Sequence, residues 1–177
     1  LDAVRAELRD PHEVRGSLVV SASVSLGLGL LVPRLPALAA RHPELVVELR
    51  LEDRAVDIVA EGVDLAIRAG LAPPDSTAYV AHPLTTFPRV LVASPAYLAA
   101  RGTPRMPEHL EPHAGLVQLS AAGTTVAWRL SRGEDTREVA VVERLRANTP
   151  IALVELARAG LGVALLPDWM VQPALTT

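Results

Sequence analysis

The sequence predicts an α/β protein of two lobes, and three observations carry that prediction. From Gly16 to Gly70 apolar strands alternate with segments of helical periodicity, and from Arg89 a second strand–helix–strand system begins. Half of the 177 residues are apolar, enough to fill a substantial core. With aromatics at only 3%, that core falls to Ala, Leu and Val.

Leu1 to Arg9 sets Leu1, Val4 and Leu8 on one side and charges on the other, an amphipathic helix stump ended by Pro11. Leu18 to Val20 is the first buried strand, and Ser21 to Ser25 is a small polar loop after it. A helix follows with Leu31, Leu35, Leu38, Ala39 and His42 at helical spacing; Pro33 and Pro36 blur its start. The second strand puts Val47, Leu49 and Leu51 on one face and Glu48, Arg50 and Glu52 on the other. A short helix ending at Gly62 then leads to a third strand, Val63 to Ile67, which stops at Arg68.

Leu71 to Thr77 has the composition of a surface loop, and Tyr79 to Leu84 reads as a further strand. Leu84 to Pro88 joins the lobes. Arg89 to Ala93 is a strand, and Ser94-Pro95 starts a helix that ends at Gly102. A helical turn is expected from Pro107. Strands follow at Leu116–Leu119, Val126–Leu130 and Val139–Leu145, with a polar turn from Ser131 to Thr136. Asn148-Thr149-Pro150 caps a helix that runs to Gly160; Val163 to Leu166 is a strand, and Pro167-Asp168-Trp169 begins a last helix.

Composition narrows the chemistry. A net charge of −3 and a pI near 6.0 leave no basic surface for gripping nucleic acid. Every basic residue is Arg, so Schiff-base chemistry and a GK[ST] phosphate loop are excluded. Zero Cys excludes disulfides and thiolate sites and fits a reducing compartment. No leader and no apolar run approaching a membrane span are found, so the expected setting is the cytoplasm, with no membrane partner. The first residue is Leu, which reads as a piece of a longer protein.

Catalytic motifs are lacking: there is no G-x-S-x-G, H-E-x-x-H or paired carboxylate, and no enzyme activity, cofactor or metal is expected. His109 and His113 stand four apart, but Pro112 between them argues for loop histidines. Gly27 and Gly29 lack the third glycine of a dinucleotide fingerprint. What remains is strand tips. Ligands in such sheets sit beyond the carboxyl ends of strands, where Ser23, Ser25 and Arg68 fall. Helix starts after Ser25, at Ser94 and at Thr149 would offer N–H groups to a small anion in a cleft between the lobes. Ser94 is read as a plain cap. Thr149, beside the only Asn of the chain, is read as cap or ligand contact. Arg68 is read two ways, as a fork for a ligand or as an ion pair with Asp64 or Glu61.

The run from Leu18 to Gly70, with LLVPRLPALAARHPELVVELRL and VDIVAEGVDLAIRAG, resembles the effector-binding domain of LysR-type transcriptional regulators. RVLVASPAYLAARGTP, the Trp128-Arg129 strand and RLRANTPIALVELARAGLGVALLPDW extend the likeness, in order, over nearly the whole chain. The resemblance implies a two-lobed fold like the periplasmic binding proteins, each lobe a Rossmann-like βα sandwich, with a small effector in the cleft. It implies lobe I over residues 13–86 and lobe II over 87–168, with 1–12 a remnant of a linker helix. Residues 169–177 would begin a return to lobe I, whose remainder is not in the chain. Effector contacts would fall on Ser23, Ser25, Arg68, Ala69, Leu119, Ser120, Asn148 and Thr149, with Leu51 a weaker candidate. DNA would be bound only through a separate N-terminal helix-turn-helix domain. Copies would pair through lobe I as a homodimer or tetramer. A solute-binding protein of a transport system is the alternative on the same fold.

Overall fold

The computed structural model describes residues 14–70 and 79–175; the amphipathic stump at 1–9 and the loop at 71–77 lie outside these. The chain divides into two compact units, Leu1–Ala81 and His82–Thr177.

The first unit is built on a parallel three-stranded sheet of order β2-β1-β3, with β1 Gly16–Ala22, β2 Leu45–Leu51 and β3 Leu65–Ile67. Ala22 pairs with Leu51 on one side and Ile67 on the other, so all three carboxyl ends finish level. β1 lies in the middle and takes most of the burial: Val20, Ser21 and Ala22 are inside, joined by Leu26 and Val63. Ser21 is therefore part of the strand, not the start of a loop as its polarity suggested.

Between β1 and β2 runs a helical stretch, α1 (Val24–Arg41). It opens as an α-turn at Val24–Leu26, widens to π geometry over Gly27–Leu31, tightens to 3-10 over Val32–Arg34 and closes as α-helix Leu35–Arg41. The two prolines cause this patchwork. Each sits at the start of a new segment, where its missing N–H breaks the regular ladder and the backbone re-registers. With a mean hydropathy of 1.3, α1 is also long and apolar enough to cross a membrane, which corrects the expectation that no run approaches that length. Length and composition alone say this.

Three further expectations fail between residues 53 and 84. Residues 53–62 form bends and turns, not a helix. Asp57 takes the Ala60 N–H on its carboxylate at 3.0 Å, and Glu61 takes the Asp57 N–H at 3.2 Å. Such side chain-to-backbone bonds compete with the helical ladder. The strand expected from Val63 begins only at Leu65, and Tyr79 to Leu84 has no regular structure.

The second unit holds a mixed sheet of order β4-β9-β5-β8. Its strands are β4 Arg89–Val92, β5 Ala114–Gln118, β8 Val142–Ala147 and β9 Val163–Pro167. β5 runs parallel to both β8 and β9, whereas β4 is antiparallel to β9. A separate hairpin joins β6 (Trp128–Arg132) to β7 (Asp135–Val139). The expected single strand Val139–Leu145 is thus two, and most of the expected polar turn is strand, because Thr and Arg alternate well on an exposed two-stranded ribbon.

Helices α2 (Pro95–Arg101), α3 (Pro150–Arg158) and α4 (Asp168–Leu175) complete the lobe, with a 3-10 turn at Pro107–Leu110. Two apolar clusters flank the sheet. Leu116, Leu153, Ala157, Ala164, Leu166 and Val171 bind α3 and α4 to one face; Tyr97, Leu110, Val117, Trp128, Val163 and Leu165 fill the other. His113, expected in a surface loop, is 6% exposed. Its Nδ1 lies 3.2 Å from Tyr97 Oη, which also accepts the Ala114 N–H at 3.0 Å, so the buried polar atoms satisfy one another.

Candidate functional site

Each lobe gathers its candidates at one end of its sheet. In the first, the level carboxyl ends of the parallel strands put Ser23, after β1, beside Arg68, after β3, with Glu52 and Asp53 following β2. Backbone pairing continues one step past the strands, where the Glu52 N–H donates to the Ala22 carbonyl at 2.9 Å.

Arg68 is exposed at this tip, and its guanidinium turns inward. One nitrogen donates to Ser21 Oγ at 2.7 Å and another to the Ile67 carbonyl at 3.2 Å. The alternative of an ion pair with Asp64 or Glu61 is overturned because both acids are engaged elsewhere. Asp64 accepts the Val19 N–H at 2.8 Å. Glu61 takes a two-pronged contact from Arg54 at 2.8 and 2.5 Å, while Arg54 also reaches Glu52 at 2.6 Å. Burial lowers the pKa of the Arg68 guanidinium, with the charges of Glu52 and Asp53 opposing it. Glu61, held by the Arg54 hydrogen bonds, is lowered to about 2.

The start of α1 differs from its expectation. The helical stretch begins at Val24, so Ser23 is its cap residue and Ser25 lies inside it, 6% exposed. The Val24 N–H donates to Asp53 Oδ1 at 3.1 Å. The chain's own carboxylate occupies that N–H, leaving Ser23 and Arg68, more than a helix dipole, as the groups a ligand would meet. Asp53 was missed from sequence; its place directly after a β2 carboxyl end was the available signal. Ala69 follows Arg68 and is exposed. Leu51 packs within 4 Å of where a Cβ on Gly27 would lie, an apolar support under the tip.

In the second lobe, parallel β5 and β8 bring Leu119-Ser120 beside Asn148-Thr149. Gln118 pairs with Ala147, and the Leu119 N–H donates to the Ala147 carbonyl at 2.8 Å. The Ser120 hydroxyl lies 2.8 Å from Thr124 Oγ1 and clips the turn that ends β5. Thr149 stands at the cap position of α3, where its carbonyl accepts the Ala152 N–H at 3.2 Å and its side chain makes no cap bond, in contrast to Ser94, whose Oγ accepts the Tyr97 N–H at 3.2 Å. Asn148 is exposed.

Two hollows lie elsewhere. One, of about 210 Å³, is lined by Leu35, Leu38, Ala39, Leu45 and Val47; the other, of about 340 Å³, lies by Val117, Trp128, Val139 and Val141. Neither includes a candidate residue. No cluster of His, Asp and Glu able to hold a metal occurs among the described residues.

Comparison with known proteins bears on the family and the fold. The family described as LysR substrate binding domain matches residues 11–177. An uncharacterised HTH-type transcriptional regulator of Haemophilus influenzae is 34% identical over 157 residues, covering 89% of this chain and 54% of the relative. The HTH-type transcriptional activator TtdR of Escherichia coli (strain UTI89) is 33% identical over 160 residues, covering 90% and 51%. Among solved structures, the regulatory domain of CrgA, a LysR-type transcriptional regulator from Neisseria meningitidis, superposes with a TM-score of 0.74 at 25% identity, over 92% of this chain and 78% of that one. The chain spans about half the length of these two HTH-type regulators.

Proposed function

This chain belongs to the LysR substrate-binding domain family, and from that we propose that it senses a small organic anion through the strand tips just described. It is an effector-binding domain of the two-lobed, periplasmic-binding-protein-like α/β class. Its matched relatives are transcriptional regulators, which sets aside the solute-binding protein of a transport system. The observation that carries the anion reading is Arg68. It stands at the carboxyl end of a parallel sheet and spends its side chain on a serine hydroxyl and a carbonyl, with Asp64 and Glu61 both committed elsewhere. A hydroxyl is a neutral acceptor that a carboxylate outbids, because a charge-assisted bond is roughly twice as strong.

Ser23, Ser25, Ala69, Leu119, Ser120, Asn148 and Thr149 complete the proposed contacts, within lobes proposed at 13–86 and 87–168. Occupancy would be passed to oligomer geometry, and so to DNA held by a helix-turn-helix domain elsewhere in the full protein, in the cytoplasm and without catalysis. The ligand must favour one arrangement over another for this to work. A homodimer or tetramer through lobe I fits the exposed flank of β2, an edge strand with Val46 65% exposed.

The test is a thermal-shift screen of small organic acids. An acid at about a hundred times its Kd adds about 2.7 kcal/mol to the native state. The melting temperature should rise for the unaltered chain and stay flat for Arg68→Ala. An equal rise in both proteins removes Arg68 from the site, and no rise with any acid removes the anion.

A further inference from the structure

The strand tips of the first unit carry both signs of charge. Because β2, β1 and β3 end level, Glu52, Ser23 and Arg68 stand in one row across the sheet, with Asp53 one step further on. Neighbouring strands lie about 4.8 Å apart, which puts the outer backbones of this row about 10 Å from each other.

The acids of this tip are not equivalent. Arg54 takes Glu52 at 2.6 Å and Glu61 at 2.8 Å, so both of those carboxylates already have their cation. Asp53 accepts the Val24 N–H on Oδ1 at 3.1 Å and pairs with no cation among the described residues. Arg68 bonds Ser21 Oγ and the Ile67 carbonyl and pairs with no carboxylate among them. Yet the two groups act on each other. Burial lowers the Arg68 pKa, and the charges of Glu52 and Asp53 oppose it. Asp53 and Arg68 are thus near without touching, and Ser23, whose hydroxyl makes no cap bond, lies on the strand between theirs.

Such an arrangement discriminates among acids. A simple carboxylate on Arg68 would enter the field of Asp53 and Glu52, and like charges repel. Arg54 offers no relief, since its cation is already divided between two acids. An acid that carries its own ammonium group escapes this penalty. Its carboxylate takes the Arg68 fork and its ammonium takes the second oxygen of Asp53, each as a charge-assisted bond. Both partners are within reach of solvent, Arg68 being exposed and Asp53 half-buried.

We propose that this tip selects a zwitterion, a small amino acid whose carboxylate is held by Arg68 and whose ammonium is held by Asp53, with the Ser23 hydroxyl beside it. The inference rests on Arg68 as the anchor of an anion, and adds Asp53 as the residue that sets the class of acid.

The common amino acids and their desamino acids are screened by thermal shift, and those that raise the melting temperature are compared by calorimetric titration. L-leucine, for example, is set against 4-methylpentanoate, which lacks the ammonium, and L-leucinamide, which lacks the carboxylate. At least one amino acid should bind, and about tenfold or more tighter than either analogue, the worth of one charge-assisted bond. Asp53→Asn keeps a side-chain oxygen for the Val24 N–H and removes the charge. It should weaken the amino acid about tenfold and leave the desamino acid unchanged or tighter. Arg68→Ala should weaken both. If the Asn variant does not fold, the three ligands on the unaltered chain decide. Desamino acids that bind through Arg68 at least as tightly as every amino acid overturn the zwitterion and leave the anion site standing. An Asp53→Asn chain that keeps the full preference for the amino acid does the same. If nothing binds, or if Arg68→Ala binds like the unaltered chain, the anion site falls and the zwitterion falls with it.

Discussion

Arg54 shows how one side chain can hold a segment that has no regular structure. It bridges Glu52 and Glu61, and the Glu61 carbonyl in turn accepts from Arg50 at 2.8 Å, so residues 53–62 are pinned to the end of β2 without a helix. The hydrogen bonds from Arg54 bring the Glu61 carboxyl down from 4.5 to about 2. A depressed carboxylate pKa stabilises the fold fully above the unfolded value, and that contribution disappears as pH falls through the folded one. The clamp is therefore expected intact above pH 4.5 and lost on approach to pH 2. A carboxyl-carbon NMR titration should place the Glu61 midpoint near 2, and Arg54→Ala should return it towards 4.5. A midpoint unmoved by that substitution would mean the contact does not persist in solution.

Among elements, β9 is the one on which the second lobe turns. It is flanked by β4 and β5, and Val163, Ala164, Leu165 and Leu166 are all buried, alternating between the two apolar clusters. Its entry is equally constrained. A Cβ built on Gly162 would lie 2.2 Å from the Ala114 carbonyl oxygen, a backbone atom of β5 that cannot swing aside. Gly162→Ala must therefore spread the β5–β9 pairing, at a cost of about 1–3 kcal/mol typical of an overpacked core. Urea unfolding should show the midpoint falling with little change in slope. Gly27 makes the opposite case: its Cβ would meet only the Leu51 side chain, which has rotamers to move into.

At the scale of the whole molecule the two units are unequally supplied with core. Both apolar clusters belong to the second unit, whereas the described part of the first buries only Val20, Ala22, Leu26 and Val63 among its apolar residues. Leu28, Val32, Val46, Val59 and Leu65 remain exposed there. An edge strand carrying an exposed valine, beside an apolar helical stretch, is a surface for pairing. If copies associate through lobe I, Val46→Lys should yield a slower-sedimenting monomer and leave the melting temperature of the isolated chain within a few degrees. A dimer that survives this substitution must use another face.

Local pattern was enough for β1 to β3, the cap at Ser94, the α3 span after Thr149 and the family likeness, but not for the segments at 53–62, 79–84 and 139–145. Periodicity and capping are local, set by residues within a turn or a strand of one another. It also located the strand tips, because a parallel strand followed by a helix leaves its carboxyl end open. Only the tertiary structure decided which partner each charged or polar group takes. Arg68 could reach for acids four or seven positions back in sequence, yet it bonds Ser21, 47 positions away, because β1 and β3 are neighbours in the sheet. Asp53 caps α1, 29 positions earlier, for the same reason, and His113 is buried because Tyr97 arrives to meet it. Composition announces a charge, but which atoms come within three ångströms of it depends on strand order, and strand order is not written in any local stretch of the chain.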